Sequence, residues 1–203
     1  EHSESHIKGE QYRGDRAIVW AGDPKLVVTS LKIPHAQHLY QQAGYTNTEY
    51  LAPEQPSAWL SLDILREPDL LQRIIEYAGE NRIVQLIPYA ATEEFLRLVD
   101  ILEDEYGQTV LLPETPRREQ LWLRDYLDSK IGWRIIASRW LPNADRLLPE
   151  GLACQTLEVA ADAARWFLSN GRACLVKSDI GENGIGNIML HPGRLNSSVE
   201  IVE

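Results

Sequence analysis

Residues 82–112 read RIVQLIPYAATEEFLRLVDILEDEYGQTVLL, and this stretch sets the expected fold class. It opens on a short apolar run, Ile83-Val84-Gln85-Leu86-Ile87, stopped by Pro88, as a strand would be. Thr92 then stands at a helix N-cap position, and Phe95, Val99, Leu102 and Tyr106 recur on one helical face. Gly107 ends that helix, and Thr109-Val110-Leu111-Leu112 supplies another strand before Pro113. Strand, helix and strand joined this tightly predict parallel strands.

Similar alternation precedes the stretch. Arg16-Ala17-Ile18-Val19-Trp20-Ala21 reads as a buried strand closed by Gly22-Asp23-Pro24, and Leu26-Val27-Val28-Thr29 as a second. A short helix is expected over 34–40. A clearer one is expected over 69–78, where Leu70, Leu71, Ile74, Ile75 and Ala78 share a face. Residues 16–112 are therefore expected to form an α/β domain with a mostly parallel, Rossmann-like sheet. Residues 1–15, polar and without apolar periodicity, read as a flexible leader.

Past Pro113-Glu114-Thr115-Pro116 the pattern changes, which divides the chain into domains 16–114 and 115–203. A helical stretch is expected through Trp140, interrupted near Asp128 and Gly132. A turn-rich loop over 142–151 follows, then a helix over 156–169 with Val159, Ala163, Trp166 and Phe167 inward. The run Ala173-Cys174-Leu175-Val176-Lys177-Ser178, the loop 179–186 and Asn187-Ile188-Met189-Leu190 predict a hairpin. Residues 197–203 alternate polar and apolar like the start of another strand. This second domain reads as a smaller α+β unit.

Twenty Lys and Arg against thirty Asp and Glu give a net charge of −10. Such a chain repels phosphate backbones and anionic lipid, which argues against general nucleic-acid or membrane-surface binding. No apolar run approaches the roughly 20 residues of a membrane helix. Six of the acids, Glu93, Glu94, Asp100, Glu103, Asp104 and Glu105, crowd one helix against Arg97 alone, the pattern of a solvated face. Cys154 and Cys174 are too few for a disulfide framework and point to free thiols in a cytoplasmic protein. His35 and His38 read as loop histidines, and the six tryptophans as packing residues. The only methionine, Met189, is internal, so the sequence is expected to be part of a longer protein.

The loop Asp179-Ile180-Gly181-Glu182-Asn183-Gly184-Ile185-Gly186 carries the chemistry. It lacks the Lys-Ser or Lys-Thr of a Walker loop, and a strand follows it where a dinucleotide fold would place a helix. Two readings stay open: a plain hairpin turning at Asn183-Gly184, or glycines that let backbone amides approach a phosphate. Lys177 in the strand before the loop favours the second, because an ammonium buried in a strand calls for an anion. Lys130 lies in a helical segment able to fold back beside that strand.

The arrangement resembles the ATP-grasp superfamily. The residues that carry the likeness are Asp128-Ser129-Lys130, the Leu148-Pro149-Glu150-Gly151 loop, and residues 175–187 with Lys177 and the glycines. Residues 18–24 and 87–95 look like the pre-ATP-grasp domain of the peptide-ligase branch. The resemblance implies the N-terminal part of an ATP-dependent carboxylate–amine ligase working through an acyl-phosphate. It implies ATP bound by Lys130, Lys177, Gly181, Glu182, Asn183, Gly184 and Gly186, with small-molecule carboxylate and amine substrates. Magnesium is implied too, but its ligands, the adenine hinge and the arginine that handles the acyl-phosphate have no counterpart here. The chain is accordingly expected to be inactive alone. Ligases of the family are often dimers, so a homodimer is among the expectations. The alternative is a non-catalytic α/β domain that binds a nucleotide or a protein.

Overall fold

The computed structural model describes residues 13–20, 22–181, 186–193 and 200–201. The chain divides into two compact units, Glu1–Glu119 and Gln120–Glu203; the expected boundary followed residue 114.

In the first unit, β1 (Lys25–Val28) pairs in parallel with β2 (Thr48–Leu51), with Val27 opposite Tyr50. The helix α1 (Ala36–Gln42) connects them. The helices α2 (Leu60–Arg66) and α3 (Pro68–Tyr77) follow, then β3 (Ile83–Gln85), α4 (Glu93–Asp104) and β4 (Thr109–Leu111). β3 and β4 are also parallel, with Val84 opposite Val110. The expected βαβ unit over 82–112 is therefore present. The strand β2 and the helix α2 fall in residues 48–66, for which sequence reasoning named no element.

Strand alternation distributes the core. Leu26, Val28 and Leu51 pack with Leu86 and Val110 against a cluster of Ile64, Leu70, Leu71, Ile74, Leu98 and Leu102 from α2, α3 and α4. Val27 points the other way, into a cluster with Ala36 and Tyr40 of α1, flanked by Ala17, Ile33, Tyr45 and Tyr50. The pair β1–β2 thus has apolar packing on both faces, as parallel strands require. The pair β3–β4 is covered on one face; Ile83, Ile87 and Leu111 are exposed on the other.

Two expectations are corrected here. The parallel strands form two separate two-stranded sheets, so the mixed α/β character holds but one continuous sheet does not. Residues 16–20 are no strand, Ala21 lying outside the described residues: Arg13–Val19 is a 3₁₀ helix, and Val19 is exposed. A short apolar run carries no period that separates strand from helix, and the strand starts only after Gly22-Asp23-Pro24. Asp23 there accepts hydrogen bonds from the Thr46 and Asn47 amides, tying the β1 entry to the β2 entry.

A 3₁₀ turn, Arg118–Gln120, ends on the first residue of the second unit, which continues with α5 (Leu121–Asp128), α6 (Lys130–Trp140), α7 (Ala144–Leu147) and α8 (Leu157–Ser169). β5 (Cys174–Val176) pairs antiparallel with β6 (Ile188–Leu190), which pairs antiparallel with β7 (Glu200–Ile201). The expected hairpin strands and the terminal strand are there; the Asn183-Gly184 turn lies outside the described residues. The buried face of α8 is Ala164, Phe167 and Leu168, whereas Val159 and Trp166 are exposed. The inward face is rotated from the expected one: Trp166 is apolar yet faces solvent, and apolarity alone does not mark a core position. Trp59, Trp122, Trp133 and Trp140 are exposed as well, so five of the six tryptophans lie outside the core; Trp20 is half-buried and stacks on Tyr89.

Candidate functional site

The helical stretch after residue 120 breaks at Ser129, between the two positions expected. Ser129 is extended (φ −76°, ψ 146°) and caps α6, its Oγ accepting from the Gly132 amide at 2.8 Å. Gly132 has no room for a side chain, since a Cβ would stand 1.8 Å from the Tyr126 carbonyl oxygen. The α5–α6 corner is therefore held by a cap and an obligatory glycine, and Lys130 is the first residue of α6.

That placement brings Lys130 onto the strand-exit segment 179–181. Its backbone N–H donates to the Asp179 carbonyl at 3.1 Å, and the next amide, of Ile131, donates to Asp179 Oδ1 at 2.8 Å. Lys130 Nζ donates to the Asp179 carbonyl at 3.3 Å and to the Gly181 carbonyl at 3.1 Å. The fold-back of Lys130 toward the glycine loop is thus present in the structure. Its acceptors are neutral carbonyls; among the described residues no carboxylate pairs with its ammonium.

Lys177 stands differently from its expectation. β5 ends at Val176, and Lys177 is exposed just beyond it. The alternation runs half-buried Cys174, exposed Leu175, half-buried Val176, and the next side chain turns outward. The argument from a buried ammonium does not apply. Gly181 and Gly186 are exposed, and Gly186 has a φ of +77°, a conformation natural to glycine. A Cβ on Gly186 would meet Ser178 Oγ at 3.4 Å. The buried Oδ1 of Asn187, the next residue, has no hydrogen-bond partner. Glu182, Asn183 and Gly184 lie outside the described residues.

The Leu148-Pro149-Glu150-Gly151 segment is fastened by two arginines absent from sequence reasoning. Arg134 of α6 donates to the Pro149 carbonyl at 2.7 Å, and Arg172 pairs with Glu150 at 2.8 Å. The Arg172 hydrogen bond holds the Glu150 carboxyl below its ordinary value. Burial pushes the Cys174 thiol up, away from reactivity. Both cysteines are free thiols.

The first unit offers a separate cavity of about 650 Å³ at the end of β2, lined by Leu51, Asp63, Arg66, Glu67, Leu70 and Arg73. Asp63 is 1% exposed, but its oxygens accept from the Ser57 amide and hydroxyl at 2.8 and 2.7 Å. Glu67 likewise accepts from the Glu54 and Gln55 amides, each at 3.1 Å. These carboxylates secure the loop after β2. His35 and His38 are exposed, and no cluster of three or more metal-ligating side chains exists among the described residues.

No protein-family model matches the chain, and no curated protein or solved structure matches it. No helix among the described residues is long and apolar enough to cross a membrane.

Proposed function

We propose that the chain is the N-terminal part of an ATP-grasp ligase: a Rossmann-like pre-ATP-grasp domain followed by the first ATP-grasp subdomain. ATP is the ligand of the second unit, and the complete protein joins a small carboxylic acid to an amine in the cytoplasm. The observation that carries this reading is the meeting of Lys130 with the root of the glycine loop. Its ammonium, bonded among the described residues to neutral carbonyls, keeps its charge for an anion.

The residues present suit a triphosphate on one further point. The unpartnered Asn187 oxygen beside Gly186 marks a polar lining that internal hydrogen bonds leave incomplete. Bound there, ATP would supply the phosphoryl group that activates a carboxylate as an acyl-phosphate. Lys130 would hold phosphate charge from the α6 side and Lys177 from the strand side. The loop from Gly181 to Gly186, with Glu182, Asn183 and Gly184, would lie across it. Magnesium, which phosphoryl transfer uses to neutralise charge, has no ligand set among the described residues and belongs to the rest of the protein in this reading.

A second reading, a non-catalytic domain binding a nucleotide or a protein, draws on Asp179. It already satisfies two first-turn amides of α6, leaving the glycine hairpin free to be only a turn. Calorimetry of the full-length protein with ATP and magnesium tests the ATP site on which the first reading depends. Lys130→Ala and Lys177→Ala should each weaken binding by ten- to a hundredfold, the loss of a contact worth about 1.5–3 kcal/mol. Wild-type affinity in both folded variants rejects the ligase reading.

A further inference from the structure

We propose that Asp179 is a positioning residue for Lys130, setting where its ammonium stands by capping α6 from the segment after β5. The proposal rests on the ATP reading and adds to it Asp179, the first residue of the loop, which that reading does not count among the ATP contacts.

A helix start leaves its first amides without partners inside the helix. At α6 the Ser129 hydroxyl serves the Gly132 amide; those of Lys130 and Ile131 both go to Asp179, remote in sequence. One residue uses its carbonyl on the first and its carboxylate on the second. The same carbonyl also accepts from Lys130 Nζ, and Gly181, two residues on, accepts from it again. Asp179 therefore fixes both ends of Lys130, the backbone by its cap and the ammonium by its carbonyl.

How the carboxylate is used matters more than its presence. Had it paired with the ammonium, the two charges would cancel and an incoming phosphate would have to break an ion pair. Spent on the Ile131 amide, it sits at the positive end of the helix, where a negative charge is favourable. The ammonium is left against neutral oxygens, aligned along 179–181. On the other side the corner cannot yield, because Ser129 is buried and Gly132 abuts the Tyr126 carbonyl. Movement at this junction must come from Asp179 letting go.

A double-mutant cycle on the full-length protein tests this, with magnesium–ATP as the probe in calorimetry. Asp179→Ala should weaken binding about tenfold, the scale of a lost helix cap converted to affinity. Asp179→Asn keeps an oxygen for the Ile131 amide and should stay within about threefold of wild type. In a Lys130→Met background, Asp179→Ala should cost less than about twofold, because it acts through the lysine. Equal losses with and without Lys130 overturn the proposal, as does an Asn variant as weak as the Ala variant. Amide exchange without nucleotide is the independent readout: Asp179→Ala should speed exchange at Ile131, whose partner is the carboxylate, and Asp179→Asn should not. Unchanged exchange in Asp179→Ala overturns the positioning role even where ATP binds. Wild-type ATP binding by Lys130→Met, with exchange altered as expected, instead removes the ATP reading.

Discussion

Helices α4 and α8 begin alike and end up in different surroundings. Each is capped by a threonine: Thr92 Oγ1 accepts from the Phe95 amide at 3.2 Å, and Thr156 Oγ1 from the Val159 amide at 3.3 Å. Yet α4 buries Phe95, Leu96, Leu98, Val99 and Leu102, whereas α8 buries Ala164, Phe167 and Leu168 and leaves Leu157, Val159 and Trp166 exposed. The difference is in what stands behind the helix. α4 contributes to a cluster shared with α2, α3 and residues of both parallel pairs. Within its unit, α8 packs against β5. A cap and an amphipathic stripe start a helix; the number of elements facing it decides how wide a face is buried.

Truncating one leucine in each helix is the sharpest way to break that comparison. Leu102, 0% exposed, has no solvent-side escape, so Leu102→Ala should lower stability of the first unit by about 3 kcal/mol in urea unfolding. A loss under about 1 kcal/mol would mean that the α4 cluster collapses around the gap and is not tightly packed.

Tyr40 probes the other face of β1–β2. It is 0% exposed and its hydroxyl has no hydrogen-bond partner, so Tyr40→Phe should stabilise the unit by about 1 kcal/mol. Burial also pushes the Tyr40 hydroxyl up to about 12, with the neighbouring Tyr50 adding to the rise. A raised folded-state value means stability present below the ordinary tyrosine value near 10 and lost as pH rises from there toward 12. Unfolding followed across that window should therefore slope less steeply in Tyr40→Phe. Destabilisation by Tyr40→Phe at neutral pH would show that the hydroxyl is satisfied after all.

The smallest effect belongs to α8. Leu157 is 83% exposed, and Leu157→Ala should change stability by less than about 0.5 kcal/mol. A cost comparable to that of Leu102→Ala would mean that the exposed face of α8 is covered in solution.

Local signals explain what could be read in advance. Thr92, Thr156 and Gly107 act within a few residues of themselves, and the elements they bound appear where the sequence put them. Within α4 the acids have Arg97 alone, but Arg118, 18 residues past Asp100, pairs with Asp100 and Glu93. No local pattern announces a partner that distant. The same holds for Asp179, whose neighbours in sequence say nothing of Lys130.

By itself the sequence determined the βαβ order of residues 82–112, the threonine-capped helices, the break near Ser129 and the strands around the glycine loop. Each depends on periodicity, caps or turn residues, which act over one or two helical turns. Only the tertiary structure decided the rest. It made 13–19 a 3₁₀ helix, separated the parallel strands into two pairs, turned Lys177 to solvent and joined Asp179 to the start of α6. Those outcomes depend on which elements become neighbours, and a short apolar run or a lone charge carries no record of what will pack against it.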